Sequence, residues 1–201
     1  PMTESALAII LHQLVFQGMF FAKNFFLSRK LGRPIRGTNR EANISIVFFI
    51  TFISLALFFA ISGETLVTLS LISTQVAHAI GYLLMMASVV IAFASLWHLG
   101  DSWRVGVIEE QRTELVQNGI YRMSRNPYFL AYILIFAAYT VFLQNWVLAI
   151  LALFGFSMIH GMIRREEAYL AEIHVEEYQR YKALVPRYLS IFKPWFPSSG
   201  K

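Results

Sequence analysis

The sequence predicts an all-α integral membrane protein with five transmembrane helices, and three observations lead to this fold class. Hydrophobic residues make up 57% of the 201 residues, and the mean hydropathy is +0.55. Charged residues make up only 14%, against roughly 25% in an ordinary soluble domain. Five apolar stretches are also long enough, or nearly so, to cross a bilayer, which takes about 20 helical residues.

The five stretches follow one another along the chain and predict helices at about 5–27, 44–62, 75–99, 127–143 and 146–163. The first is too long for the apolar core of a signal peptide, and no small-residue cleavage site follows it. Pro127 suits the first turn of the fourth helix, where a missing N–H has no consequence. That helix is short, which predicts tilt or local thinning of the bilayer. A polar turn at Gln144-Asn145 makes the fourth and fifth helices a hairpin.

The positions of the basic residues predict the orientation in the membrane. All 17 Lys and Arg residues lie in the first loop, the third loop or the C-terminal tail, except Lys23 near the end of the first helix. The opposite side holds Glu4 and Glu64. By the positive-inside rule, the N-terminus is outside and the C-terminus is cytoplasmic. We expect the plasma membrane in a prokaryote and the endoplasmic reticulum in a eukaryote. This placement explains the net charge of +5, so no nucleic-acid partner is expected.

Two segments outside the spans are predicted to be helical. From Arg164 to about Leu184, apolar residues recur at three- and four-residue spacing, which predicts an amphipathic helix that Pro186 ends. Residues 114–121 predict a short helix that ends in an Asn-Gly turn, where Gly119 can take a positive φ.

The two ends of the hairpin are the strongest candidate for a functional site. Arg125-Asn126-Pro127-Tyr128 opens the fourth helix, and Arg164-Arg165-Glu166-Glu167 closes the fifth. Both ends of a hairpin return to one membrane face, and charged groups beside a bilayer need partners. We therefore expect the clusters to meet, with Arg125 beside Glu166. The alternative is an ordinary interfacial charge cluster that marks the end of a span.

Several classes of site are not predicted. The chain has no cysteine, which excludes disulfides, thiolate metal sites and a cysteine nucleophile. The five histidines lack the helical spacing and acidic partner of a zinc protease motif, so no metal is expected.

A series of short motifs follows one order and spacing over about residues 100–190. The motifs are Asn118-Gly119-Ile120-Tyr121, Arg125-Asn126-Pro127-Tyr128, Glu166-Glu167, Glu177-Tyr178, Tyr181 and Val185-Pro186-Arg187. This series resembles the isoprenylcysteine carboxyl methyltransferase family and its prokaryotic members. The chain departs from the family at Asn126, where His is usual, and at Val175, where Gly is usual. The first two helices contain no motif of this family.

The resemblance implies one membrane domain, 1–201, with three N-terminal helices in 5–99 and a methyltransferase core in 100–190. It implies methyl transfer from S-adenosylmethionine to the carboxylate of a lipophilic, prenylcysteine-type substrate, with S-adenosylhomocysteine as the product. The cofactor pocket is expected on the cytoplasmic side, between the loop before the fourth helix and the amphipathic tail helix. The matched positions make cofactor-binding candidates of Glu114, Leu115, Val116, Gly119, Tyr121, Asn126, Pro127, Tyr128 and Glu166.

The same resemblance gives catalytic candidates, namely Arg125, Arg164 and Glu167. A carboxylate nucleophile is already ionised at neutral pH and needs little base catalysis. A guanidinium can hold it with two parallel hydrogen bonds. The prenyl chain is expected to stay among the membrane lipids and helices and to reach the site laterally, with about 0.8 kcal/mol gained per buried methylene.

Other functions remain open on the sequence. A phospholipid N-methyltransferase would have an amine acceptor, and another lipophilic acid or thiol is a further possibility in a prokaryote. A sterol-type reductase that uses NADPH has a related tail architecture. A transporter subunit or membrane scaffold is the non-enzymatic alternative, although a transporter would be expected to have paired polar breaks at mid-membrane depth.

Overall fold

The structure is a computed structural model and describes residues 3–32, 40–63, 68–103 and 114–189. This part of the chain is helical, and its only β pairing is an isolated bridge between Thr68 and Asn145. The predicted all-α class is confirmed for these residues.

The described residues form six α-helices, with two short 3-10 helices between the third and the fourth. The α-helices are α1 Glu4–Leu31, α2 Arg40–Ser62, α3 Thr74–Leu99, α4 Pro127–Leu143, α5 Trp146–Ile173 and α6 Val175–Leu184. By length and composition, α1, α2, α3 and α5 can cross a membrane. The apolar helix α4 has 17 residues, which is fewer than the about 20 that cross a bilayer. Four of the five expected spans are therefore long enough and apolar enough to cross a membrane.

Side chains that accept from free backbone N–H groups begin three of the long helices. Thr3 accepts from the N–H of Ala6 at the start of α1, and Ser73 begins α3 in the same way. Asn145 begins α5, where its Oδ1 accepts from the N–H of Leu148 at 3.1 Å. Such caps satisfy backbone donors that have no partner inside the helix.

The predicted hairpin of α4 and α5 is confirmed. Pro127 occupies the first turn of α4. Gln144 ends α4 with φ 45°, in the left-handed region, and Asn145 immediately caps α5. Helix α4 lies within the bundle, where Ala131, Ile135 and Tyr139 are completely buried.

Two glycines allow close packing around α4. A Cβ atom on Gly81 of α3 would lie 2.6 Å from Phe142. A Cβ atom on Gly155 of α5 would lie 2.7 Å from Phe136. Small residues that let helices approach each other are typical of membrane bundles, where packing rather than hydrophobicity drives association.

A buried polar network joins α1, α3 and α4 inside the bundle; we call its members, His12, Gln13, Ser88 and Tyr139, the His12 network. Ser88 donates to the carbonyl of Met85 at 2.7 Å, so its oxygen accepts from His12 Nε2, 2.9 Å away. His12 Nδ1 then accepts from the Tyr139 hydroxyl at 2.6 Å, and that hydroxyl accepts from Gln13 Nε2 at 2.8 Å. The directions are consistent for a neutral imidazole.

The structure corrects two predictions about local helices. Residues 114–117 are not helical, and a 3-10 helix follows at Gly119–Arg122. The reason is tertiary, since Leu115 packs against α6 and Gln117 donates to Glu177 at 2.6 Å. The predicted helix from Arg164 to Leu184 is divided at His174 into α5 and α6.

Candidate active site at the ends of the helical hairpin

The carboxylate of Glu167 lies at the centre of a network that joins both ends of the α4–α5 hairpin to the tail. It accepts hydrogen bonds from Asn126 and Arg187 and forms an ion pair with Arg125; we call these four residues the Glu167 network. Glu167 is 6% exposed. A buried carboxylate needs partners of this kind, because its ionised form is strongly destabilised away from water.

The two arginines contact the carboxylate in different ways. Arg125 Nη2 lies 3.0 Å from Glu167 Oε1, and the Arg125 side chain is 6% exposed. Arg187 approaches in a fork, with Nε 3.1 Å from Oε1 and Nη2 2.8 Å from Oε2. The Glu167 carboxylate raises the pKa of Arg187 through these hydrogen bonds. The expectation that the two clusters meet is confirmed, but Arg125 pairs with Glu167 rather than with Glu166.

Asn126 shows why an amide can occupy the position where the resembling family usually has His. Its Nδ2 donates both to Glu167 Oε1 at 2.9 Å and to the carbonyl of Arg187 at 3.3 Å. An amide nitrogen has two hydrogens, whereas an imidazole nitrogen has at most one. Asn126 can therefore hold the carboxylate and the tail backbone from a single atom. Val175, the other departure, is the exposed first residue of α6.

Backbone contacts fix the tail against the start of α4. The N–H of Arg125 donates to the carbonyl of Pro186 at 3.0 Å. Ser124 donates to the carbonyl of Arg187 at 3.1 Å, and its oxygen accepts from the N–H of Asn126. The Glu167 network is thus held by main chain as well as by charge.

Tyr121 and Glu166 form a second part of the site. Tyr121 is 7% exposed, and its carbonyl accepts from the Tyr181 hydroxyl at 2.6 Å. Burial raises the pKa of the Tyr121 phenol well above its usual value, and the Glu166 carboxylate raises it further. Glu166 itself has no hydrogen bond or ion pair with any residue in the described part of the chain. Its carboxylate is free to receive a donor.

Gly119 lies against His98 of α3. Its φ is +55°, and a Cβ atom there would overlap the imidazole ring of His98. The ring is held in place because His98 Nδ1 donates to the carbonyl of Ala94 at 2.7 Å. Glycine is therefore required at this position for two reasons, the left-handed backbone and the close approach.

The remaining cofactor candidates lie in the segment 114–116 and at the start of α4. Leu115 packs against the aromatic cluster of Tyr178 and Tyr181 on α6. Glu114 is exposed and Val116 is partly buried. Pro127 and Tyr128 are buried at the start of α4.

Tyr128 is enclosed by other rings rather than open to a ligand. Its ring centroid lies 4.7 Å from that of Trp103 and 5.5 Å from that of Tyr132, edge to face in both cases. Its hydroxyl is buried and finds no hydrogen-bond partner among the described residues. The Tyr178 hydroxyl and the Nε of Arg125 are in the same situation.

Arg164 lies apart from the buried ion pairs. It is exposed and lines a cavity of about 240 Å³ that also touches Glu167. We call this space the cationic cavity; its lining residues are Arg164, Glu167, Ala168, Ala171, Lys182 and Arg187.

Sequence reasoning did not select Arg187 as a site residue, although its motif was noted. The sequence did contain a signal for Arg187, because a carboxylate beside a bilayer needs cations as partners. Arg187 is such a cation and directly follows Pro186, the residue predicted to end the tail helix. Lys182 was also missed, since an exposed lysine on a short helix has no distinguishing pattern.

A comparison with protein families identifies residues 76–177 as a match to the phospholipid methyltransferase family. The match covers 102 of the 201 residues. The chain belongs to this family. The matched segment includes Tyr121, Asn126 and Glu167. This family and the isoprenylcysteine carboxyl methyltransferase family, which the motifs resemble, are part of the same superfamily of membrane methyltransferases. No curated protein gives a match.

Membership of this family implies S-adenosylmethionine as the methyl donor. The side chains of the site fit that group chemically. The amino group and ribose hydroxyls of S-adenosylmethionine are donors, and the Glu166 carboxylate is an acceptor without a partner among the described residues. The carboxylate of S-adenosylmethionine needs a cation or a donor, and the buried Arg125 Nε and Tyr178 hydroxyl are both donors without a partner in the part of the chain that the structure describes.

Proposed function

We propose that the protein transfers a methyl group from S-adenosylmethionine to the head group of a lipophilic acceptor at the cytoplasmic face of the membrane. The observation behind this proposal is the arrangement of the two adjacent carboxylates of α5. Glu167 is bound by two arginines and an amide. Glu166 has no hydrogen-bond or ion-pair partner in the described residues, and its charge raises the pKa of the Tyr121 phenol. Glu167 joins the segments that form the site, and Glu166 remains available to bind a ligand.

The two carboxylates have different parts in the proposed reaction. S-adenosylmethionine, when bound, supplies an electrophilic methyl group. Glu166 would accept hydrogen bonds from its amino or hydroxyl groups, with Tyr121 and the segment around Gly119 on the opposite wall. Orienting two reactants can contribute roughly 7–11 kcal/mol to catalysis. The Glu167 network would contribute to this orientation, because it fixes the tail to the start of α4.

Arg125 has a different proposed role from the one its motif suggested. Its guanidinium is buried against Glu167 and also donates to the carbonyl of Lys182 at 3.4 Å. It is therefore proposed as a positioning residue rather than as the group that binds a substrate carboxylate. Arg164 is exposed and remains the candidate for an anionic group of the acceptor.

Two acceptor classes are compatible with this site. The family match favours the amine of a phospholipid, and the motif order favours the carboxylate of a prenylcysteine-type lipid. An apolar groove of about 500 Å³ between α2 and α5, lined by Val47, Phe48, Leu151 and Phe154 among others, is a suitable place for the hydrocarbon chain of either. Membership of a methyltransferase family favours methyl transfer over the reductase and scaffold alternatives.

The proposal is tested by supplying labelled S-adenosylmethionine to the purified protein in detergent with one acceptor at a time. The acceptors are phosphatidylethanolamine and a farnesyl-cysteine analogue, with a lipid that has neither group as the control. We expect label in one of the two lipids. Base treatment releases methyl from an ester and leaves an N-methyl group intact, which identifies the acceptor atom.

The pH profile gives an independent check on the acceptor. A carboxylate is ionised above about pH 5, so the ionisation of such an acceptor should not change its methylation from pH 6 to 9. An amine with a pKa near 10 must lose a proton first, so its methylation should rise over the same range. Absence of transfer to both lipids, in protein that also fails to bind S-adenosylhomocysteine, would contradict the proposed function.

A further inference from the structure

The cationic cavity contains more positive charge than the Glu167 network requires. Its lining includes three cations, Arg164, Lys182 and Arg187, and one carboxylate, Glu167. That carboxylate already receives Arg187 and Arg125. The positive charges of Arg164 and Lys182 are therefore in excess of what Glu167 can neutralise.

The two additional cations have no partner of their own within the described part of the chain. Neither the guanidinium of Arg164 nor the ammonium of Lys182 makes a hydrogen bond or an ion pair with the described residues. Like charges that face one space repel each other unless an anion lies between them. Arg187 cannot turn away, because two hydrogen bonds hold its guanidinium on Glu167.

The floor of the cavity leaves room for a group of several atoms. Ala168 and Ala171 also line the cavity, whose volume is about 240 Å³, and their short side chains occupy little of it. A water molecule occupies about 30 Å³ in the liquid, so a tetrahedral anion with some of its waters fits.

The membrane placement expected for α5 from its sequence puts the cavity at the level of the lipid phosphates. The apolar part of α5 ends at Ile163, and Arg164 is the next residue. The head-group layer is about 5–8 Å thick on each side of the hydrocarbon core. At 1.5 Å per residue, the helix from Arg164 to Ala171 extends about 10 Å outward from that level.

We propose that the cationic cavity is a binding site for the phosphate group of a membrane lipid, held by Arg164 and Lys182 with Arg187 as a fixed third donor. A guanidinium and two neighbouring cations match the oxygens of a phosphate. The bound lipid joins α5 and α6 to the bilayer surface. This inference shares Arg164 with the proposed function and rests on it in that respect, so binding is measured without S-adenosylmethionine and its outcome is separate from that of methyl transfer.

The test measures lipid binding by calorimetry on the full chain in a non-ionic maltoside detergent. The probes are dioctanoyl phosphatidylglycerol, dioctanoylglycerol as its phosphate-free counterpart, and inorganic phosphate. The variants are Arg164→Gln, Lys182→Gln and the double change. Arg180→Gln is the matched control, because Arg180 lies on the same helix as Lys182 but pairs with Glu176 at 3.8 Å on the exposed side.

We expect the phosphatidylglycerol to bind and the phosphate-free lipid not to bind. A basic residue near a membrane surface contributes about 1 kcal/mol to binding an anionic lipid, so each single change should weaken binding about five-fold. The double change should weaken it about 25-fold, and Arg180→Gln should leave it unchanged. The charge-conserving pair Arg164→Lys and Lys182→Arg should retain most of the affinity, which separates loss of charge from loss of folding.

Three results would overturn the proposal. Equal binding of the phosphate-free lipid would show that the head group is not recognised. An equal loss in Arg180→Gln would show that general surface charge is responsible. Binding of inorganic phosphate as tightly as the lipid, with the same loss in the double variant, would overturn the lipid source in favour of a free phosphate.

Discussion

The His12 network and the Glu167 network are both buried, but they differ in charge and in completeness. The His12 network is neutral, and each of its contacts has a consistent donor and acceptor. The Glu167 network contains two arginines on one carboxylate. Beside it lie one carboxylate, Glu166, and two cations, Arg164 and Lys182, that have no partner among the described residues.

This difference indicates which part of the molecule is built to bind ligands. A neutral and satisfied network inside a membrane bundle fixes the relative positions of helices and leaves nothing for a ligand to complete. Charged groups without partners are expensive to maintain and are expected where a ligand supplies the missing charge. The following variants should separate a structural network from a functional one.

Replacing Glu167 with Gln should have the largest effect. It leaves Arg125 buried without its carboxylate and releases Arg187, and removal of one partner of a buried ion pair typically costs about 3–5 kcal/mol. We expect the lower end of this range, because the Arg187 side chain is 32% exposed. Unfolding in mixed micelles measures the change. Glu172→Gln, at an exposed position on the same helix, should have little effect on the free energy of unfolding. Equal losses of stability in the two variants would contradict the structural role assigned to Glu167.

Replacing Gly119 with Ala should have an intermediate effect. The new Cβ meets His98, and a left-handed residue other than glycine costs about 1–2 kcal/mol in addition. We expect weaker binding of S-adenosylhomocysteine and a lower melting temperature. The double variant with His98→Ala should recover the part caused by the overlap. Gly161→Ala is the control, since nothing lies within 4 Å of its Cβ position. No recovery in the double variant would contradict the assigned contact.

Replacing Tyr139 with Phe tests the His12 network. It removes the donor to His12 and the acceptor for Gln13, and interhelical hydrogen bonds in membranes are worth about 0.6 kcal/mol on average and at most about 1.7. We expect a loss of about 1 kcal/mol in unfolding and unchanged binding of S-adenosylhomocysteine. Tyr82→Phe, on an exposed ring, is the comparison. A clear loss of ligand affinity in Tyr139→Phe would show that this network is functional after all.

Much of this contrast follows from the sequence, and some of it does not. Apolar length predicted the helices, and the turn at Gln144-Asn145 predicted that the clusters at Arg125 and Glu167 would meet, which the ion pair between them confirms. Periodicity could not tell that Arg125 would pair with Glu167 rather than Glu166, because adjacent residues differ only by a helical rotation of about 100°.

Other features depend on contacts between distant segments. Leu115 and Gln117 meet α6 only in the folded chain, so local pattern wrongly predicted a helix there. The His12 network joins residues up to 127 positions apart, and nothing in the spacing of His12 and Tyr139 predicts the bond between them.

The most direct test of the proposed methyltransferase site is the binding of S-adenosylhomocysteine to the purified protein and to its Glu166→Gln variant. Glu166 has no partner among the described residues, so the variant should fold normally and melt within a few degrees of the native chain. Loss of a charged acceptor should weaken ligand binding about ten-fold, since hydrogen bonds to charged groups contribute about 1.5–3 kcal/mol. Calorimetry in detergent measures both constants. Tight binding by the native chain with about ten-fold weaker binding by the variant is the expected result, and equal affinity in the two, or none in either, would contradict the assigned site.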